Sequence, residues 1–338
     1  MITGFEDCAR SLLEAARQTD SMTKLGVREQ LLARGDEQSL LAARARAARR
    51  MTGDDSLIVR ASLEFSNYCR QQCSFCGMTA HNKQLERYRM NEAQMRQIVL
   101  GVACLGVKDL HLTSGEDWGF RADALATVIA EAVAAGMEVT LVTGHRKVED
   151  YQTWRDAGAS RYILKVETTN EQLFHEARTG TVLMQRISHL LYLRQMGYKI
   201  GTGIITGLPN QTVDDLVDDI LFLTKLKPDM ASVSRFLPNS QSRYAIMPEG
   251  NPETCLNFIS LIRIDMSRPG LRIPAGTSLG HKQIDAIHHG ANVVSLHVTP
   301  DEYADLYSSY RAENRIATKL ETIKRFAQEA SMPLNLRS

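Results

Sequence analysis

Three cysteines fall within eight positions, Cys69-Arg70-Gln71-Gln72-Cys73-Ser74-Phe75-Cys76, while Cys8, Cys104 and Cys255 lie far apart. Clustered thiolates serve as soft metal ligands or as redox partners, and their spacing separates the two chemistries. Three of them suit three irons of a 4Fe-4S cube, leaving the fourth iron open to a ligand that the protein does not supply. A structural zinc site completed by His81 or another residue is the alternative, but its usual signature has a second Cys-x-x-Cys or His pair, which this chain lacks. A redox pair of Cys73 and Cys76 would leave Cys69 without a purpose.

Such a loop needs a scaffold with a defined edge. Short β-prone runs at 57–65, 109–113, 138–143, 162–167, 199–206, 230–236, 271–275 and 292–296 read as eight strands. Helical patterns at 91–105, 122–135, 182–196, 213–226 and 252–264 alternate with them, mostly closed by Gly or Pro, as at Gly106, Gly136, Gly197 and Pro228. Eight alternations match an α/β fold of the (β/α)8 TIM-barrel type better than an open doubly wound sheet, because no Gly-x-Gly-x-x-Gly follows the first strand. The cysteines then sit on the first βα loop at the barrel mouth, where chemistry in this fold resides. Residues 1–54, rich in Ala, Leu, Arg and Glu, are expected as an N-terminal helical extension packing as a cap or wrap. The barrel is expected over 55–311 and a C-terminal helix and tail over 312–338.

Lys and Arg number 40 against 39 Asp and Glu, a balance that gives no phosphate-tracking surface, so no nucleic-acid partner is expected. No apolar run approaches the ~20 residues of a membrane span, and the charged, mixed first turns do not resemble a signal peptide. The cysteine pattern is unlike that of a small secreted domain, and a cytoplasmic, reducing setting follows as the expectation.

The segments Glu64-Phe65-Ser66-Asn67-Tyr68-Cys69, Cys73 to Gly77 and Arg87-Tyr88-Arg89-Met90 resemble the radical S-adenosylmethionine (radical SAM) enzymes. The resemblance is to the group holding HydE, the FeFe-hydrogenase maturase, methylornithine synthase (PylB) and biotin synthase, with HydE nearest. Leu112 to Asp117, Gly203 to Pro209 with Gln211-Thr212, Asp214 to Asp219, and Gly290 to Val293 extend it over most of the chain. The resemblance implies one 4Fe-4S cluster on Cys69, Cys73 and Cys76, with S-adenosylmethionine (SAM) on the open iron through its amino and carboxylate groups. An electron then breaks the C5′–S bond to give methionine and a 5′-deoxyadenosyl radical. It implies Phe75 as the aromatic before the last cysteine, Ser114, Gly115 and Glu116 beside the methionine amino group, Glu167 at the ribose or amine, and Arg186 on the carboxylate. Arg178 either supports that site or is an exposed helix arginine. Gly203 would let the adenine approach the backbone.

The three cysteines of biotin synthase's second cluster correspond to Thr113, Thr140 and Gly201, and nothing after Cys255 matches the accessory cysteine trio of some HydE proteins. One cluster is therefore expected, and sulfur insertion ranks third among the readings. Thr140 agrees with a cavity-facing threonine of HydE. Thr113 and His111 share a strand face, with His111 either a substrate contact or a hydrogen-bonded core residue. Tyr303 matches a HydE tyrosine at the cavity mouth. Departures cluster at the cavity: Lys165-Val166-Glu167-Thr168 for Arg-His-Glu-Thr, Ser234-Arg235-Phe236 for Gly-Pro-Phe, and Ala275-Gly276-Thr277 for Ala-Thr-Thr. Arg235 either offers a cation to an anionic substrate or points outward to a carboxylate. The implied substrate is a small molecule or small organometallic, a cysteine-bound iron carbonyl cyanide synthon for a HydE. The Phe236-Leu237-Pro238 turn is closer to PylB and keeps an amino-acid mutase as the runner-up. The implied electron donor is a reductase, flavodoxin or ferredoxin. A non-catalytic metal-binding module is the alternative from another class, and it would not depend on Arg186.

Overall fold

Alternation along each apolar run decides which side chains enter the lumen and which meet the helices. The computed structural model describes residues 2–310 and 318–336. Seven strands, β1 (Leu57–Ser66), β2 (Asp109–Ser114), β3 (Glu138–Val142), β4 (Arg161–Ile163), β5 (Lys199–Thr206), β6 (Met230–Arg235) and β7 (Val293–His297), are all parallel, in the order β7-β1-β2-β3-β4-β5-β6. Residues 271–275 join β6 to β7 through the bridges Met230↔Arg272 and Pro274↔Val293 and complete the ring. Pro274 has no N–H to donate, which limits this eighth segment to isolated bridges. The (β/α)8 barrel expected from the sequence is the fold that forms. β4 is much shorter than its pattern: it ends at Ile163 rather than running to residue 167, and Glu167 rejoins the sheet only as a bridge to Ile204.

The helices are α1 (Glu6–Arg17), α2 (Ser21–Leu32), α3 (Gly35–Met51), α4 (Glu92–Cys104), α5 (Ala122–Ala134), α6 (Val148–Asp156), α7 (Glu171–Ala177), α8 (Leu183–Gln195), α9 (Val213–Leu226), α10 (Pro252–Asp265), α11 (Gln283–His288), α12 (Asp301–Ala304) and α13 (Leu320–Glu329). Asn91 with Gln94 and Thr212 with Asp215 form capping boxes that start α4 and α9. The first three helices form a second layer: α1 lies on α8 and α9, α2 on α9 and α10, and α3 on α10 and α11. Buried Arg49 ties that layer down by donating to the carbonyls of Ile287 and Ala291, both at 2.9 Å. After α13, Leu334 and Asn335 pair in parallel with Leu57 and Ile58 of β1. The expected boundary between residues 311 and 312 lies outside the described residues. Among the described residues, no helix is long and apolar enough to cross a membrane.

Charged residues close the barrel floor. Arg272 donates to Asp109 and, at 3.2 Å, to Glu138, which also pairs with Arg161 at 3.1 Å. These ion pairs lie at the N-terminal ends of the strands, opposite the cysteine loop.

Candidate active site

The cysteine loop leaves the end of β1 and is pinned on three sides. Gln72–Cys73 pairs antiparallel with Arg178–Thr179, placing Cys73 opposite Arg178. The Ser74 amide donates to the Ala177 carbonyl at 2.8 Å and its hydroxyl to that of Glu176 at 2.8 Å. Arg87 reaches the carbonyls of Asn67, Met78, Thr79 and Asn82, so one guanidinium fastens both limbs of the loop. A Cβ at Gly115 would stand 2.3 Å from the Tyr68 carbonyl and 2.8 Å from Cys69 Cβ, which explains a glycine there.

Burial raises all three thiols and pushes Cys73 up to about 11, with the neighbouring thiols adding to the effect at Cys76. Free, these groups would remain protonated; metal coordination deprotonates a thiol outright. His81 is exposed, and among the described residues no three His, Cys, Asp or Glu side chains gather as ligands of one ion. That donor set fits a cluster taking one cysteine per iron and does not make the four-ligand shell of a structural zinc.

Beside the loop lies a buried charge alternation. Glu116 receives hydrogen bonds on Oε1 from Arg178 Nη2 and Arg186 Nη1, both at 3.1 Å, and on Oε2 from Gln71 of the loop itself. Burial opposes its charge, but Arg186, Arg178 and Gln71 hold its carboxyl below the ordinary range. Arg186 also donates Nε to the Lys165 carbonyl, and nothing among the described residues engages its Nη2. Arg178 is 5% exposed, so the exposed-helix reading does not hold; it faces Glu116 and, at 3.8 Å, Glu167. Glu167 has φ +66°, a left-handed backbone rare outside glycine, which turns its side chain to meet Lys165 Nζ at 3.1 Å. The strand reading at 162–167 could not show this, since a left-handed backbone carries no residue-type signal at a glutamate.

Gly144, just after β3, is a further functional position that sequence reasoning missed. A Cβ there would lie 1.8 Å from Glu116 Cγ, so the glycine is the floor of the Glu116 pocket. Ser114 is buried and donates its hydroxyl to the Gly115 carbonyl at 2.7 Å. At Gly203, a Cβ would meet Ser232 Oγ at 2.0 Å and Lys165 Cε at 2.7 Å. A side chain at this position would have to displace Ser232 and Lys165, which explains a glycine there. Phe75 lines a cavity of about 130 Å³ with Lys165, Ile205, Arg235 and Phe236.

A second cavity of about 200 Å³ occupies the lumen and includes Thr113, Thr277, His111, Lys165, Glu64 and His297 among its lining residues. Thr277 bonds the Tyr310 hydroxyl, and Tyr310 lines both cavities. Thr140 lies on the lumen face of β3 between Glu138 and Val142, buried, its hydroxyl without a partner among the described residues. His111 is both a cavity wall and a core residue, 3.6 Å from Asp109, and burial with Arg60 and Arg272 nearby keeps it neutral. Arg235 is not a free cation: its guanidinium donates to the Ser278 carbonyl and pairs with Glu249 at 3.3 Å. Lys165 is the cationic side chain that faces both cavities. Tyr303 does not reach the cavity; its ring stacks on Tyr88 at 4.6 Å and its hydroxyl accepts from Gln94 of α4.

The sequence reading also missed a pair between the neighbouring strands β1 and β7 on the lumen side. His297 stands with Nδ1 3.7 Å from Glu64 Oε1 and with no hydrogen bond to either ring nitrogen among the described residues, while Thr299 fixes Glu64 at 2.8 Å. The two residues are 233 positions apart, and only their outward-inward phase on two different strands was visible.

The radical SAM superfamily profile matches residues 63–223. The "[FeFe] hydrogenase maturase subunit HydE" of Thermotoga maritima is 36% identical over 82% of this chain and 80% of its own length. The 3-methylornithine synthase of Methanosarcina acetivorans is 25% identical over 79% of this chain and 76% of its own. The crystal structure of methylornithine synthase (PylB) superposes with a TM-score of 0.81 at 21% identity, covering 96% of this chain and 98% of that one, which shows a shared fold.

Proposed function

The chain belongs to the radical SAM superfamily, and from that premise we propose that it is a HydE-type maturase acting on a small substrate in the barrel lumen. It is a radical SAM enzyme and takes a 4Fe-4S cluster and SAM. When bound, the cluster and cofactor supply a 5′-deoxyadenosyl radical by one-electron cleavage of the sulfonium. The residues of this chain hold and aim. Cys69, Cys73 and Cys76 would grip the cluster on a loop locked by Arg87. Glu116 would accept the methionine ammonium, and the unengaged Nη2 of Arg186 would meet its carboxylate, a charge pattern matching an amino acid end to end. Arg186 and Arg178 keep Glu116 ionised in a buried site, and Glu167 is aimed inward by its left-handed backbone. Lys165, Thr113, Thr140, Thr277 and the Glu64–His297 pair would position the substrate.

The observation that carries this reading is the position of the Glu116–Arg178–Arg186 group directly against the cysteine loop, through Gln71 and the pairing of Cys73 with Arg178. The test replaces HydE by this protein in an in vitro FeFe-hydrogenase maturation assay. Restored hydrogenase activity supports the reading; its absence, with 5′-deoxyadenosine still formed, favours the second reading. That second reading, a mutase of an amino acid, is favoured by the Phe236-Leu237-Pro238 turn, whose Phe236 closes the cavity beside Phe75.

A further inference from the structure

We propose that the outer face of α2 and α3 is an interface with a second copy of this chain, packed antiparallel about a twofold axis at Leu40; nothing in this depends on the reading of the barrel mouth. Of the thirteen large apolar side chains exposed among the described residues, five stand on these two helices: Met22, Leu25, Leu32, Leu40 and Met51, from 43% to 87% exposed.

A helix on a protein surface is expected to be apolar inward and polar outward. α3, which lies on α10 and α11, buries Leu41, Ala42, Ala45 and Arg49. Its solvent side nevertheless carries Leu40, Ala43, Ala47 and Met51, all exposed and all in one helical stripe. α2 repeats the pattern, with Val27 and Leu31 inward and Met22, Leu25 and Leu32 outward. Arg44 of α3 donates to Gln30 of α2 at 3.2 Å, so the two faces adjoin. Ala43 and Ala47 beside Leu40 let a second helix approach closely.

Charge selects a copy of the chain itself. Glu37 and Arg44 lie on one flank of the α3 stripe, about 10.5 Å apart along the helix with Leu40 between them. At that separation they do not pair with each other, and among the described residues neither has an oppositely charged group within ion-pair distance. Arg44 bonds the neutral Gln30, and it favours the charge of Asp265 without forming an ion pair with it. An antiparallel copy centred on Leu40 sets Glu37 against the partner's Arg44 and Arg44 against the partner's Glu37, with the two Leu40 side chains between the pairs. A parallel copy would set like charges together. The rest of the face is nearly balanced, Glu29 and Asp36 against Arg34, with Arg50 met by Asp55 at 3.6 Å. It therefore draws no strongly acidic or basic partner, and a formal charge of +1 gives two copies little cause to repel.

The size of the face sets the strength. Two adjoining helices, each about 10 Å across and up to about 25 Å long, give a footprint of about 500 Å² per copy, so about 1,000 Å² in all, the lower end for a specific interface. A reversible dimer in the micromolar range is the expectation.

The test is sedimentation velocity on the full, cluster-loaded chain under anoxia, from about 1 to 100 µM, where a reversible passage from monomer to dimer is expected. Leu40→Asp should weaken the dimer at least about tenfold, whereas Leu100→Asp, a carboxylate on the exposed face of α4, should leave it unchanged. Glu37→Arg and Arg44→Glu should each weaken it about tenfold, since each replaces two reciprocal ion pairs by two like-charge contacts. The double variant Glu37→Arg with Arg44→Glu should return to within about threefold of the unsubstituted protein, because the twofold axis pairs the exchanged residues again. Iron content and Tm, unchanged across the set, separate a lost interface from a damaged α3. A monomer at every concentration overturns the proposal. So does a dimer indifferent to Leu40→Asp, or a double variant no tighter than the two single ones.

Discussion

Substituting Gly144→Ala tests the cofactor site through a residue that touches no cofactor. The new Cβ would lie 1.8 Å from Glu116 Cγ, whereas carbon atoms pack at about 3.5–4.0 Å, so the carboxylate must retreat by about 2 Å. Its 3.1 Å contacts with Arg178 and Arg186 do not survive that movement. Hydrogen bonds to charged groups contribute about 1.5–3 kcal/mol each, so losing the equivalent of one weakens SAM affinity by about 10- to 150-fold. The +68° φ at this position adds a separate cost of about 1 kcal/mol to folding, worth only about 2 °C in Tm. Anaerobic equilibrium dialysis of SAM against the cluster-loaded variant measures the first effect, with iron content and Tm as controls. A SAM affinity within about threefold of the unsubstituted protein, at equal iron content, would refute the assignment of Glu116 to the cofactor.

Arg186→Leu should abolish SAM binding while leaving iron content unchanged, since its guanidinium joins Glu116 to the Lys165 carbonyl and contacts no cysteine; dialysis and iron analysis read the split. His297→Phe should retain SAM cleavage measured as 5′-deoxyadenosine but lose the substrate-derived product, whereas loss of both would move His297 out of the substrate site. Burial pushes Asp219 up to about 7 despite two bonds from Thr169, above its ordinary 3.8. The folded chain therefore holds that proton more tightly than the unfolded chain. Its stabilisation is full below about pH 4 and is lost as pH rises through about 7. Asp219→Asn should flatten the fall in Tm across that window, and an unaltered slope would contradict the assignment.

Much of this was legible because the relevant signals are local. The cysteine spacing is contiguous, and the strand runs are separated by glycines and prolines, so the barrel and the loop at its mouth followed from the sequence. Glu116, Arg178 and Arg186 were named from the resemblance, and the structure brings them together. What was not legible depends on distant pairings. Arg235 reads equally as a cavity cation or as the partner of a carboxylate until Glu249 is found beside it, and Tyr303 reads as a mouth residue until Tyr88 takes its ring. Glu64 and His297 show only an inward phase, which says nothing about facing each other. Gly144 and the bent Glu167 answer to the shape of a pocket that no single segment encodes.

The central claim is that three cysteines hold a 4Fe-4S cluster whose remaining iron receives SAM. Reconstitute the protein without oxygen, reduce it with dithionite, record its electron paramagnetic resonance spectrum with and without SAM, and assay 5′-deoxyadenosine. A cubane signal that changes when SAM is added, together with 5′-deoxyadenosine, is the result expected; zinc in place of iron, or an intact cluster that neither responds to SAM nor cleaves it, would contradict the account.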